Sequence, residues 1–216
     1  MLVKKFGLIC FLLLFFGVCA NASISDENWE KLNKYYYLAK TASSDPQAHF
    51  NLAMAYAYTG FVEEGFRELS VIPALDKEFA KKVLNKYAKK AAQNKNNWEY
   101  HFYYAFALYF NEMKDKARDE FNLVTQYAGD NAVKGWAYGY IAYIYGEKKE
   151  WIKALDAITT AVKYEPDGAA LYFAMGIAKK ENGDTVGAAG AVLKAGALQA
   201  RQMVGKRSLQ RLKNEK

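Results

Sequence analysis

Residues 136 to 166 read WAYGYIAYIYGEKKEWIKALDAITTAVKYEP, and this stretch decides the fold class. Its apolar residues recur at spacings of three and four, which places each set on one face of a helix. Two such sets follow one another: Tyr138, Ile141, Ala142 and Tyr145, then Trp151, Ala154, Ile158 and Ala161. Pro166 ends the second helix because proline cannot donate the next backbone hydrogen bond. The stretch therefore predicts two helices joined by a short turn.

The same pattern returns 34 residues further along the chain. Three residue pairs carry it at this spacing: Tyr138 and Tyr172, Ala154 and Ala188, and Ala161 and Ala195. A period of about 34 residues with two helices per unit resembles the tetratricopeptide repeat family. The resemblance covers roughly residues 45 to 200 and implies helix pairs that stack into a solenoid. It also implies that Ala142 and Gly176 lie where the two helices of a pair cross.

Two earlier units fit the pattern less regularly. One spans Gln47 to Leu69 and the other Trp98 to Val124, so that the successive offsets are 52, 37 and 34 residues. Between them, Asp76 to Lys95 predicts an inserted amphipathic helix, and the superhelix is expected to bend near Pro73. The array therefore contains about four helix pairs with irregular spacing.

The ends of the chain complete the predicted organisation. Asp26 to Thr41 predicts a leading helix that caps the array, with Ala197 to Lys213 as its C-terminal counterpart. The fold class is all-α, a helix-turn-helix repeat solenoid with one capping and one inserted helix. The predicted divisions are a signal peptide (1–22), a capping helix (23–44), a repeat domain (45–200) and a basic tail (201–216).

The first 22 residues have the composition of a secretory leader. Lys4 and Lys5 precede an uncharged apolar run from Phe6 to Val18, and Ala20-Asn21-Ala22 resembles a signal-peptidase site. We expect export to the periplasm or the extracellular space, with cleavage between Ala22 and Ser23. An uncleaved anchor and acylation at Cys19 are the alternatives. Because Cys10 and Cys19 both lie in the leader, the mature chain would have no thiol.

Positive charge is concentrated at the C-terminus of the chain. The formal net charge is +7, and removal of Lys4 and Lys5 leaves +5. The tail accounts for that excess, because its only acidic residue is Glu215. Its basic residues are Arg201, Lys206, Arg207, Arg211, Lys213 and Lys216. One interpretation is attachment to an anionic lipid or envelope polymer, and the other is an ordinary solvated tail. Nucleic acid is not expected as a partner because no recognition motif is present.

The sequence predicts no catalytic residue, metal ligand or cofactor. His49 and His101 share a repeat position but lack metal-ligand spacing, and no phosphate loop or nucleophile motif occurs. The neighbouring carboxylates of Glu63-Glu64 and Asp119-Glu120 are expected on solvated helix faces. A non-enzyme is therefore predicted, with action on a cell-wall substrate as the least favoured alternative.

Partner binding is predicted on the concave face of the array. In the tetratricopeptide family, the first helix of each unit lines a groove, and here those positions are strongly aromatic. The candidate residues are Phe50, Met54, Tyr58, Phe102, Phe106, Tyr109, Phe110, Trp136, Tyr143, Phe173 and Ile177. A groove of this kind suits a peptide or helix with aromatic anchors. Alternatively, the leading helix, the inserted helix or a second copy of the chain fills it.

Two functions from different classes follow. The first is a protein-interaction or scaffold module of a bacterial cell envelope, with a protein or peptide partner and with homo-oligomers as one form of assembly. The second is a surface-associated structural protein that attaches through its basic tail.

Overall fold

The computed structural model describes the backbone of residues 25–214 and the side chains of residues 25–201. This part of the chain contains ten α-helices and no strand. Their bounds are Asp26–Thr41 (α1), Pro46–Thr59 (α2), Val62–Leu75 (α3), Phe79–Gln93 (α4), Trp98–Phe110 (α5), Lys114–Tyr127 (α6), Asn131–Glu147 (α7), Trp151–Tyr164 (α8), Ala169–Glu181 (α9) and Thr185–Asn214 (α10). None of them has the length and hydropathy of a membrane span. The predicted signal peptide lies outside the described residues.

The helices pack as the repeat pattern predicts. Successive pairs are α2 with α3, α5 with α6, α7 with α8, and α9 with α10. Helix α1 packs on α2, and the inserted helix α4 packs on α5. The predicted fold class is therefore confirmed, with four helix pairs, a leading helix and an inserted helix in the described part of the chain.

The turns inside the four pairs share one backbone feature. Each contains a residue with positive φ: 84° at Gly60, 63° at Glu112, 60° at Lys149 and 86° at Gly183. These residues are separated by 52, 37 and 34 positions, the offsets that the apolar pattern indicates. The turns therefore give an independent alignment of the four units.

The two helices of a pair approach closely where small residues meet. A Cβ atom at Gly65 would lie 3.2 Å from the carbonyl oxygen of Ala53, and one at Gly176 would lie 3.2 Å from that of Ala188. Because the contacted atom is a backbone carbonyl oxygen in both cases, no side-chain rotation could make room for a larger residue at these positions. The structure confirms the placement of Gly176 at a crossing.

The C-terminal helix differs from the prediction. A separate capping helix from Ala197 to Lys213 was expected, but α10 runs without interruption from Thr185 to Asn214. No proline interrupts this segment, which is rich in alanine, a strong helix former. The second helix of the last unit and the predicted cap are therefore one element.

Helix α2 lies at the centre of the molecule. Ten of its fourteen residues are buried, so it has no solvated face. It packs against α1, α3 and α7, and the hydroxyl of Tyr140 on α7 donates a hydrogen bond to the carbonyl oxygen of Ala57 at 3.0 Å. The first and third units are thus in direct contact across the concave side.

His101 is held by a carboxylate and a carbonyl oxygen. Its Nδ1 lies 2.6 Å from Oε2 of Glu120 and its Nε2 lies 2.8 Å from the carbonyl oxygen of Lys95. When Glu120 is ionised, both partners only accept, so both ring nitrogens donate and the ring is an imidazolium. The hydrogen bond to Glu120 raises the pKa of His101, against the lowering effect of burial. Glu120 was expected on a solvated face, and that expectation is wrong because this pair holds it.

His49 repeats the arrangement 52 residues earlier. Its Nδ1 lies 2.6 Å from Oε2 of Glu68 and its Nε2 lies 2.9 Å from the carbonyl oxygen of Ser43. Burial lowers the pKa of His49, but the bonds to Glu68 and to the Ser43 carbonyl outweigh it and leave the pKa raised. The first two units thus carry the same clamp between their paired helices.

A buried carboxyl group marks the junction of the third and fourth units. Glu165 follows the last residue of α8 and is 0% exposed, and no side chain among the described residues hydrogen-bonds to its carboxyl oxygens. Gly135 lies directly against it, since a Cβ atom there would overlap that of Glu165. Burial, followed by the charges of Asp167 and Asp130, raises the pKa of Glu165 to about 7. The group is therefore protonated in mildly acidic solution.

The His101–Glu120 pair is expected to stabilise the fold in a pH-dependent way. A double-mutant cycle from His101→Ala and Glu120→Ala should give a coupling of about 1 kcal/mol at about pH 6. The pKa of His101 is higher in the folded than in the unfolded chain, so the contribution is present below about pH 6.5. The charge-dependent part is lost as pH rises through the folded-state pKa, where the neutral ring keeps only an uncharged N–H donor, so the coupling measured by denaturant unfolding should be clearly smaller at about pH 9.

The Arg67–Glu63 pair is the control, because it has the same 2.6 Å separation but side chains that are 63% and 36% exposed and a cation that does not titrate in this range. Its coupling should stay below about 0.5 kcal/mol and should not change between these two pH values. A His101–Glu120 coupling that is equally large at both pH values would contradict the role of the imidazolium.

Replacement of Glu165 by glutamine should remove a second pH effect. Because the pKa rises from 4.5 in the unfolded chain to about 7 on folding, ionisation destabilises the fold as pH increases across that window. We expect Glu165→Gln to match the wild type at about pH 5 and to raise the free energy of unfolding by roughly 2 to 3 kcal/mol at about pH 8. Glu30→Gln, an exposed change on α1, should show no such difference. This role would be refuted if the difference in the free energy of unfolding between Glu165→Gln and the wild type were the same at both pH values.

Candidate functional site

An apolar cavity of about 160 Å³ lies between α3, α5, α7 and α9. Seven of the predicted groove residues line it: Phe106, Tyr109, Phe110, Trp136, Tyr143, Phe173 and Ile177. Six of the seven side chains are half-buried, so the cavity is partly open to solvent, and Trp136 forms part of its buried wall. We call this feature the concave cavity.

Four predicted groove residues lie elsewhere. Phe50, Met54, Tyr58 and Phe102 are at most 1% exposed and belong to the main core, so their assignment to an open groove is corrected. The ring of Phe50 packs against Phe79 and Tyr87 of the inserted helix at centroid distances of 5.6 and 5.7 Å. The N-terminal half of the groove is thus filled by the chain itself, because α2 is enclosed by its neighbours.

One wall of the cavity could not be predicted from the first helices alone. Helix α3, a second helix, contributes Val62, Phe66 and Leu69. Gly139 and Tyr140 of α7 also line the cavity and were missed. An alignment of the units on their turn residues would have drawn attention to Gly139, because the other three units have phenylalanine at that register.

The aromatic wall is fixed by ring contacts. Tyr140 packs edge-on against Phe106 at a centroid distance of 4.8 Å and stacks on Phe121 at 5.3 Å. Tyr109 and Tyr143 pack edge-on at 6.1 Å. Contacts of this geometry add to the stabilisation that burial alone gives. The wall therefore keeps its shape without a ligand.

Polar side chains of Tyr109, Lys114 and Glu147 interact beside the aromatic wall of the cavity. The hydroxyl of Tyr109 donates to Oε2 of Glu147 at 2.9 Å, and Nζ of Lys114 lies 3.0 Å from the same oxygen. Burial raises the pKa of Tyr109 and of Tyr143, and the nearby Glu147 carboxylate adds to both shifts. Both phenols are therefore neutral at physiological pH.

The lining of the concave cavity is apolar and aromatic. Its lining includes no Asp, Glu, Lys, Arg, His, Ser or Cys side chain, so it offers no ionised acid, base or nucleophile. Nε1 of Trp136 is buried without an acceptor among the described residues. Within the same residues, no cluster of His, Cys, Asp and Glu side chains has metal-binding geometry. The arrangement can enclose an uncharged apolar group.

A second, polar pocket lies where α1 meets the start of α7. Asp130 is one of its lining residues, and its carboxylate accepts hydrogen bonds from the backbone N–H of Ala132 and from Nδ2 of Asn28, each at 2.8 Å. These bonds cap α7 and attach α1 to it. The pocket is therefore explained by its structural role.

The basic tail continues helix α10. Arg201 is exposed, and the backbone of α10 carries the chain helically through Asn214. The side chains of Lys206, Arg207, Arg211 and Lys213 lie outside the described residues. Attachment to an anionic surface through this tail stays a prediction.

No protein-family model and no curated protein matches the chain. Among solved structures, a crystal structure of MamA superposes with a TM-score of 0.47 and 17% identity, covering 80% of this chain and 88% of the other. MamA residues 41 to the end from Desulfovibrio magneticus RS-1 give 0.45 and 15%, covering 92% and 94%. MamA MSR-1 gives 0.47 and 14%, covering 82% and 99%. Likenesses of this size concern helical architecture and assign no role to any residue of this chain.

Proposed function

We propose that this protein is a non-catalytic protein-binding module that holds a peptide or helix of a partner protein at the concave cavity. The observation that carries the proposal is a partly open apolar cavity with aromatic walls and no ionised side chain in its lining. Concave, mostly apolar sites with a few polar groups at the edge are typical of binding sites. Apolar surface of this kind gains free energy when a partner covers it.

The rigidity of the site supports binding through an inserted anchor. Tyr140 packs against both Phe106 and Phe121, and its hydroxyl donates a hydrogen bond to the Ala57 carbonyl oxygen, so the wall is preorganised. A preorganised site loses little conformational entropy when a ligand enters. Aromatic and large aliphatic side chains of a partner are the groups that benefit most from such a pocket.

We further propose that the protein works in a cell envelope after export. Support comes from the leader sequence alone, with its basic start, its apolar run and the small residues Ala20 and Ala22. Intact mass of the protein recovered from its native compartment should correspond to a chain that begins at Ser23. A mass that includes Met1 to Ala22 would instead indicate an anchored or non-exported protein.

Binding at the concave cavity should be sensitive to one charged substitution. Peptides selected from a random library against the purified protein should bind Ile177→Lys at least about tenfold more weakly, because the ammonium group would be desolvated in the complex. Fluorescence anisotropy gives the dissociation constants. Sedimentation of the free wild type and of Ile177→Lys shows whether the protein self-associates and whether that association depends on the cavity.

Ile152→Lys is the matched control, since Ile152 is 73% exposed on α8. It should leave peptide affinity within about twofold of the wild type. Equal affinities of both variants, with unchanged circular dichroism, would place binding outside the concave cavity and refute the proposal.

A further inference from the structure

The concave cavity lies at a register where the third unit differs from the other three. The turn residues align Phe50, Phe102 and Phe173 with Gly139. The first, second and fourth units therefore carry a benzyl side chain at this register, whereas the third unit carries only a hydrogen atom. Gly139 lines the cavity, so the missing ring and the empty space occur together.

Phe102 shows what a ring at this register contacts. Its ring lies 5.2 Å from that of Phe106, 5.6 Å from that of Phe121 and 5.9 Å from that of Tyr140, measured between centroids. One unit further along the chain, the corresponding residues line the concave cavity: Tyr143, Ile158 and Ala174. Three neighbours of the Phe102 ring thus have register counterparts in the cavity lining, and two of these counterparts, Ile158 and Ala174, are smaller than the residues they replace.

The dimensions and walls of the cavity fit one ring. Its volume is about 160 Å³. Apolar cavities of about 150 Å³ bind benzene. The side chain nearest to the missing one is Leu171, whose Cδ2 lies 2.5 Å from the position of a Cβ atom on Gly139. Because this atom is the end of a flexible side chain, Leu171 can turn aside at small cost.

We propose that the concave cavity is a binding site for one uncharged, single aromatic ring, which takes the place of the phenyl group that the third unit lacks. The ring is either a free aromatic molecule or part of a phenylalanine side chain. A charged ring is excluded, because the cavity lining has no side chain to pair with a buried carboxylate or ammonium group. The site does not depend on the proposed peptide binding and stands if no peptide binds.

Fluorobenzene tests the site through its ¹⁹F resonance. Titration of the purified protein should give saturable binding, and 4-fluorobenzoate, which has the same ring with a charge, should bind at least about tenfold more weakly. Gly139→Phe restores the residue of the other units, and its ring would occupy the cavity, so it should weaken fluorobenzene binding at least about tenfold. Ala174→Tyr, which introduces the residue of the preceding unit, should also weaken fluorobenzene binding, because its ring would fill the cavity from the α9 wall. This second variant keeps the test valid if Gly139→Phe does not fold.

Gly190→Phe is the control variant, because nothing lies within 4 Å of a Cβ atom at Gly190. It should bind fluorobenzene as the wild type does. Absence of saturable binding to the wild type, or undiminished binding to folded Gly139→Phe and Ala174→Tyr, overturns the proposal. Competition by N-acetyl-phenylalanine amide would identify a peptide side chain as a source of the ring, whereas binding of fluorobenzene without such competition would identify a free molecule.

Discussion

Burial of α2 is the constraint on which the rest of the structure depends. A helix that is apolar on every side must be enclosed, since exposure of its large side chains would cost several kcal/mol in hydrophobic free energy. Helices α1, α3 and α7 supply part of that enclosure, and α4 extends it through contacts of its own rings with Phe50. Contact between α2 and α7 closes the N-terminal half of the concave side. Open apolar surface is then left between α3, α5, α7 and α9.

The repeat units differ from one another at two neighbouring positions of their first helices. The first and second units hold His49 and His101 against carboxylates, whereas the third has Tyr138 at this register, stacked on Tyr164 at 5.7 Å. The third unit also replaces phenylalanine by Gly139 on the concave side. The units thus vary, at one position, in how a helix pair is held together, and, at the next position, in how much space is left on the concave side.

The sequence predicts the helices well because their signal is local. Apolar spacings of three and four, together with the turn residues, depend on neighbours within one or two turns of helix. The filling of the groove depends on contacts between distant elements, such as Tyr140 with Ala57, and no local pattern reports these. The ion pair of His101 with Glu120 spans 19 residues and two helices, so its carboxylate looked solvated in the sequence. The burial of Glu165 likewise depends on a distant element, because Gly135 of α7 lies against it.

The histidine clamps and the buried Glu165 have one thermodynamic sign in common. Each group has a higher pKa in the folded chain than in the unfolded chain, so each holds its proton more tightly after folding. Near neutral pH, folding of this protein is therefore a reaction that consumes protons, and unfolding releases them. The hydrogen ion acts on the equilibrium as a ligand that prefers the native state. A lower pH in the compartment where the chain folds therefore raises the free energy of unfolding, as a higher concentration of a bound cofactor would.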